Sequence, residues 1–162
     1  MFNFLKRYDV HLCSAVSGRL LNNGEPLVGI KVKRQLEYAD NKTRIDTTRT
    51  DKQGAFTMPA VNIRSNTPGR LFAEPKTLQS IGFFYKKKFY PLWLTYLSMI
   101  EPCPAFDKKL SQLNADIKDA AVFFSFENIN APNRSSAASS ICRWDSDFKI
   151  HHFEDDDGNK IK

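Results

Sequence analysis

A chain of 162 residues with 24 Lys and Arg against 18 Asp and Glu has a formal charge of +6, and its 41% hydrophobic and 12% aromatic content excludes a disordered polypeptide. At this length about 70% of the surface exposed by the unfolded chain can be buried, so one domain forms without disulfide or metal staples. The longest apolar stretches, around 92–97 and 120–126, fall short of the roughly 20 residues that cross a bilayer as a helix. Lys6, Arg7, Asp9 and His11 interrupt the N-terminus where a secretory signal would be continuously apolar, so these residues read as part of the fold and a cytoplasmic location is expected. Cys13, Cys103 and Cys142 are odd in number and widely spaced, as reduced thiols are.

In chain order the signals are short alternating stretches separated by turn residues. Residues 16–21 read as a strand, and Asn22-Asn23-Gly24-Glu25-Pro26 as a tight turn. From Leu27 to Tyr38, Val28, Ile30 and Val32 set an apolar face against Lys31, Lys33 and Gln35. Thr43 to Thr50 is a third strand, with Thr43, Ile45, Thr47 and Arg49 on one side. Asp51-Lys52-Gln53-Gly54 is a turn, and Ala55 to Met58 is the return strand before Pro59.

The runs Val16-Ser17-Gly18-Arg19-Leu20, Gly24-Glu25-Pro26-Leu27-Val28-Gly29-Ile30-Lys31-Val32 and Thr47-Thr48-Arg49-Thr50-Asp51-Lys52-Gln53-Gly54-Ala55-Phe56 resemble the transthyretin-like, or carboxypeptidase regulatory-like, β-sandwich family. The resemblance covers residues 14–60. It implies an all-β, transthyretin-like (prealbumin/Ig-like) sandwich but no particular activity, because function resides in sites rather than folds. With the Ser140-Ile141-Cys142-Arg143-Trp144-Asp145 segment, the whole chain resembles an uncharacterised family of stand-alone bacterial proteins with this fold. Hydroxyisourate hydrolases of the related fold use His and Arg and end in Tyr-Arg-Gly-Ser. Here the chain reads Asn159-Lys160-Ile161-Lys162 and no His lies in a comparable motif, which disfavours that activity.

Further along, Asn62 to Arg70 reads as an exposed polar loop. Thr77 to Tyr85 and Phe89 to Leu97 form a hairpin across Lys86-Lys87-Lys88, whose second strand is apolar on both sides and expected to be buried on both. After Pro104, Phe106, Leu110 and Leu113 fall at helical spacing and make room for one short helix, while Leu113, Ala115 and Ile117 also alternate as a strand. Ala121 to Phe126 reads as a central strand, Asn128 to Ser140 as a loop and Ile141 to His151 as a last strand. These are C-terminal β additions to the sandwich. Residues 1–153 form the domain, and 154–162 a polar tail.

Three groups of residues bear on chemistry. His11, Cys13, Cys142, His151 and His152 lack a nucleophile motif, and structural cysteines are expected. Asp155-Asp156-Asp157-Gly158-Asn159 lacks the later carboxylate of a calcium loop and reads as a solvated tail. Neither metal nor cofactor is expected. Phe83 to Tyr90 interleaves aromatic residues with Lys86, Lys87 and Lys88, as single-stranded nucleic-acid sites do and as a solvated turn does. Charge is also uneven: residues 1–54 carry ten basic and six acidic groups, 55–100 six and one, and 101–162 eight and eleven.

The expected function is therefore a non-enzymatic protein-binding module, of the kind represented by a cytoplasmic bacterial immunity protein that neutralises a secreted toxin. Tyr85, Lys86, Lys87, Lys88, Phe89, Arg64 and Arg70 are the candidate contacts. Nucleic-acid binding through 83–90 is the alternative.

Overall fold

Alternation of side chains sets two layers of strands in the computed structural model, which describes residues 6–127, 136–145 and 148–153. The larger layer is a seven-stranded sheet in the order β13-β11-β12-β9-β8-β4-β5. Its strands are β4 (Lys31–Tyr38), β5 (Lys42–Arg49), β8 (Thr77–Tyr85), β9 (Lys88–Leu97), β11 (Val122–Phe126), β12 (Ser136–Ser140) and β13 (Lys149–His151). Against it lies β1 (Tyr8–Cys13), paired with β7 (Val61–Ser65). Beside them β2 (Val16–Asn22) pairs with β6 (Ala55–Met58), β3 (Glu25–Pro26) and, in parallel, β10 (Ala115–Asp116). The chain is thus an all-β, sandwich-like fold with one short helix, α1 (Pro104–Leu110).

Period-two burial shows which side of each strand faces the core. In β4, Val32, Arg34, Leu36 and Tyr38 are buried, while Lys31, Lys33 and Glu37 are exposed. Gly18 on β2 is a close approach: a Cβ there would lie 2.1 Å from the Leu113 carbonyl oxygen, so only glycine lets residue 113 pair alongside β2. Helix α1 starts at Pro104, where the missing N–H costs nothing, and buries Phe106, Lys109 and Leu110 at i, i+3 and i+4.

The core centres on Trp93. Its ring meets Phe106 edge-on at 5.5 Å and lies 5.9 Å from Phe126 and 6.1 Å from Trp144, between ring centroids. The indole N–H donates to Gln79 Oε1 at 2.8 Å, and Gln79 Nε2 donates to the Leu12 carbonyl at 2.8 Å. One buried amide therefore ties β9, β8 and β1 together across the sandwich.

Several expectations need correction. Residues 62–65 belong to β7, which completes the second layer by pairing with β1. The strand expected over 27–38 begins at Lys31, and Val28 lies exposed before it. Leu94 and Tyr96 are exposed, because the outer face of the large sheet at β9 is uncovered. Near the C-terminus, residues 136–140 form a strand rather than a loop. The expected strand over 141–151 is two pieces: residues 141–145 leave the ladder, and β13 forms at 149–151. Pairing explains β12: its five residues lie opposite β11 from Ser136↔Phe126 to Ser140↔Val122, and further bonds tie it to β9. The ladder register slips between Ile81 and Gly82, the Ser140 hydroxyl donates to the Leu92 carbonyl at 2.6 Å, and Ile141 N–H donates to the Pro91 carbonyl at 2.9 Å. The loop expectation for 128–135, Ser146 of the last strand and the tail 154–162 lie outside the described residues.

Replacing Gln79 with Leu should leave the Trp93 N–H and the Leu12 carbonyl buried without partners and lower stability by about 2–5 kcal/mol, read as a reduced urea midpoint with unchanged slope. A second expectation concerns acid. Burial pushes the Asp116 carboxyl up, but backbone N–H donors of Lys118, Gly24 and Asn23 outweigh it and hold it below the ordinary carboxylate range. The folded state then binds a proton at Asp116 less readily than the unfolded state, so this contribution to stability is complete above the unfolded carboxyl pKa and is lost as pH falls from there through the lower folded pKa. The urea midpoint should drop as pH is lowered from about 5 to 3, and Asp116→Asn should flatten part of that drop.

Candidate functional site

The outer face of the large sheet carries the residues for which the fold itself gives no use. Side chains at Lys31, Lys33, Ile45, Phe84, Phe89 and Leu94 point from β4, β5, β8 and β9 into solvent. Phe84 is 67% exposed and Phe89 44%, and the two rings pair across the strands at 5.2 Å between centroids. Gly82 lies beneath this pair: a Cβ there would fall 2.4 Å from the Phe89 ring, so glycine lets that ring lie flat on the sheet. On the inner side Phe83 and Tyr90 stack at 5.3 Å and support the hairpin from behind.

The hairpin tip is strained. Tyr85 and Lys88 are the last paired residues, so the turn consists of Lys86 and Lys87 alone, with Lys88 in the strand rather than in the turn expected from sequence. Both turn residues adopt positive φ, +47° and +66°. Two positive φ values are the requirement of a type I′ hairpin turn, which Asn-Gly meets at low cost and a lysine pair does not. The lysine ammonium groups stay beside aromatic rings: Lys86 Nζ is 5.4 Å from the Tyr85 ring centre and Lys88 Nζ 5.0 Å from that of Tyr90.

The structure thus brings Tyr85, Lys86, Lys87, Lys88 and Phe89 together and places Arg64 and Arg70 apart from them. Arg64 is on β7 in the other layer and meets Asp9 at 3.3 Å, an exposed pair. Arg70 lies in the loop before β8, the far end from the tip, and its guanidinium donates to Asn66 Oδ1 at 3.1 Å.

Two polar clusters escaped sequence reasoning because they join distant segments. In the first, His11 Nδ1 lies 2.7 Å from Asn62 Oδ1, His11 Nε2 lies 2.8 Å from Ser14 Oγ, and the Ser14 hydroxyl donates to Asp107 of α1. A serine nucleophile gives its proton to the histidine that serves as its base, whereas here the Ser14 hydroxyl directs its proton to Asp107 and not to His11. The arrangement anchors α1 to the β1–β2 turn. In the second, Arg34 is fully buried and forms a bidentate pair with Asp46 at 2.9 and 2.6 Å. The Cys13 thiol lies beside it and is pushed up to about 11, by burial first, with Arg34 opposing.

Burial likewise pushes Cys142 up to about 12. Both are thiols at neutral pH rather than the thiolates that nucleophilic or metal-binding cysteines require. A register shift separates His11 from Cys13 on β1, so the two side chains enter different clusters. Among the described residues no three His, Cys, Asp or Glu side chains converge as a metal site, and the acidic run 155–159 lies outside them.

Replacing Lys86-Lys87 with Asn-Gly should relieve the turn and raise stability by about 1–2 kcal/mol, measured by urea unfolding.

Comparison with known proteins adds one relationship. Residues 16–120 match the family described as a domain of unknown function (DUF6795). No curated protein and no solved structure matches. The matched region runs from β2 through the β8–β9 hairpin and α1 to just beyond β10 and covers more than half of the chain, which therefore belongs to this family.

Proposed function

We propose that this chain is a non-enzymatic protein-binding module that docks through the β8–β9 hairpin tip and acts as a cytoplasmic immunity protein against a secreted bacterial toxin. The observation that supports it is the Phe84–Phe89 pair, exposed on a rigid hairpin whose turn holds two lysines in a costly conformation. The exposed rings gain little from folding and would gain from being covered by a partner, and the turn keeps them presented at a conformational cost that brings the fold no return. The turn and hairpin motifs of residues 14–60 support the transthyretin-like type of sandwich for this module.

A nucleic-acid reading draws on the same lysines and rings, since cations meet phosphates and rings stack on bases. The aliphatic side chains on the same face favour protein instead. Ile45 and Leu94 are 56% and 42% exposed. A polyanionic strand gains little from covering them, whereas the centre of a protein interface is built of such groups with aromatic neighbours.

Immobilised protein should retain one polypeptide in stoichiometric amount from a lysate of the producing organism, and bait carrying Phe84→Ser and Phe89→Ser should retain about a tenth or less, the loss expected of central aromatic anchors. Expressed alone, the captured polypeptide should arrest growth, and co-expression of this chain should restore it. Recovery of nucleic acid with a steep salt dependence, or equal capture by the double variant, would overturn the proposal.

A further inference from the structure

The loop leading into β8 carries a second unexplained feature. After the 3-10 turn Thr67–Gly69, Ala73 N–H donates to the Arg70 carbonyl at 3.2 Å, closing a turn whose central residues are Leu71 and Phe72. Leu71 is 65% exposed and Phe72 93%. Phe72 has φ +60°, where a turn of this kind normally places glycine or asparagine and where a bulky side chain is an outlier. The loop is anchored on both sides of this apex. Thr67 N–H donates to Ser65 Oγ, Gly69 lies against the Tyr8 ring, and Lys76 Nζ sits 4.3 Å from the centre of the Tyr96 ring on the outer face of the large sheet. A large apolar side chain in solvent on a strained, well-anchored turn contributes nothing to its own fold.

This apex and the hairpin tip lie beyond opposite ends of β8, and the exposed side chains of Leu94 and Tyr96 lie along the face between them. The charge flanking that strip is mainly positive, with Glu74 of the loop and Glu37 of β4 as the carboxylates beside it. Lys31, Lys33 and Arg49 are exposed beside it and Lys86 and Lys87 stand at its tip. On β4, β5, β8 and β9 the outward carboxylate is Glu37, which already accepts a hydrogen bond from Gln35 Nε2 at 2.7 Å. A second copy of the chain would bring this positive charge against itself.

We infer that the outer face from Phe72 to Phe89 is one continuous docking surface for an acidic protein, which offers an apolar cleft to Phe72 and carboxylates to Lys31, Lys33 and Arg49. The inference deepens the protein-binding proposal and rests on it. The apex is the second anchor, and its left-handed backbone holds the ring out of the fold for insertion, as preorganised contacts do.

The test is photo-crosslinking in the cells that make the protein, with p-benzoylphenylalanine placed at position 72 in one variant and at position 84 in another. One acidic protein joined at both positions is the expected result. Phe72→Gly should then bind that protein about thirtyfold more weakly, the loss of one hot-spot anchor, with a thermal midpoint no lower than that of the unsubstituted protein, since glycine suits the φ there. An adduct at 84 without one at 72 overturns the second anchor and leaves the hairpin proposal standing. Adducts at 72 to nucleic acid, lipid or a second copy overturn the stated partner. A Phe72→Gly protein that is less stable, or that binds undiminished, overturns the assigned role of the ring. Absence of adducts at both positions removes the hairpin proposal as well.

Discussion

The hydrogen-bond relay from Trp93 through Gln79 to the Leu12 carbonyl is the constraint on which the sandwich depends. An indole at the centre of a core brings a large apolar area together with one N–H that must be satisfied. Gln79 meets that N–H and uses its own amide N–H to hold β1, so the polar requirement of one layer fixes the position of the other. Around the same indole gather Phe106 of α1, Phe126 of β11 and Trp144, and through them the C-terminal third is packed onto the first two-thirds. Truncating such a residue costs about 3–5 kcal/mol, a large share of the stability of a single domain.

Polar groups inside and apolar groups outside divide the molecule by purpose. Inside, Arg34 is paired with Asp46, and Asp116 collects backbone donors from the β2–β3 turn and residue 118. Asp46 satisfies Arg34 Nε and Nη2, and the backbone donors satisfy Asp116, which offsets part of the penalty of burying these groups. Burial keeps Cys13 and Cys142 protonated, so these thiols act as small apolar side chains. Outside, the left-handed residues Lys86, Lys87 and Phe72 and the exposed rings of Phe84 and Phe89 run against the preferences that shape the interior. Local rules broken on the surface without a gain to the fold are the observations on which the binding proposal rests.

Much of the architecture was legible in single residues. Asn23-Gly24 marks a turn because both tolerate positive φ, and the alternation of β4 and β5 separates inner from outer faces because strand side chains have period two. The hairpin tip was legible as well, since lysines between two aromatic strands stand out in composition. Other features left no such mark. The strand β12 is written Ser136-Ala137-Ala138-Ser139-Ser140, a composition that reads as loop, and it becomes a strand because it pairs along its whole length with β11 and meets β9 on its other side. Arg34 falls on the buried face by alternation, yet its burial depends on Asp46 from the next strand.

By itself, then, the sequence determined the all-β class, the N-terminal strands and turns and the helix after Pro104, because turn chemistry and side-chain periodicity are local properties of the chain, whereas residues 55–58, expected to return along 43–50, pair with β2 instead. Only the tertiary structure decided that the outer face of β9 is uncovered, that His11, Ser14, Asn62 and Asp107 meet, and that Phe72 stands in solvent on a left-handed backbone. Those facts depend on which surfaces the two layers cover and on how a loop must bend between fixed ends, and such constraints arise from segments far apart in the chain.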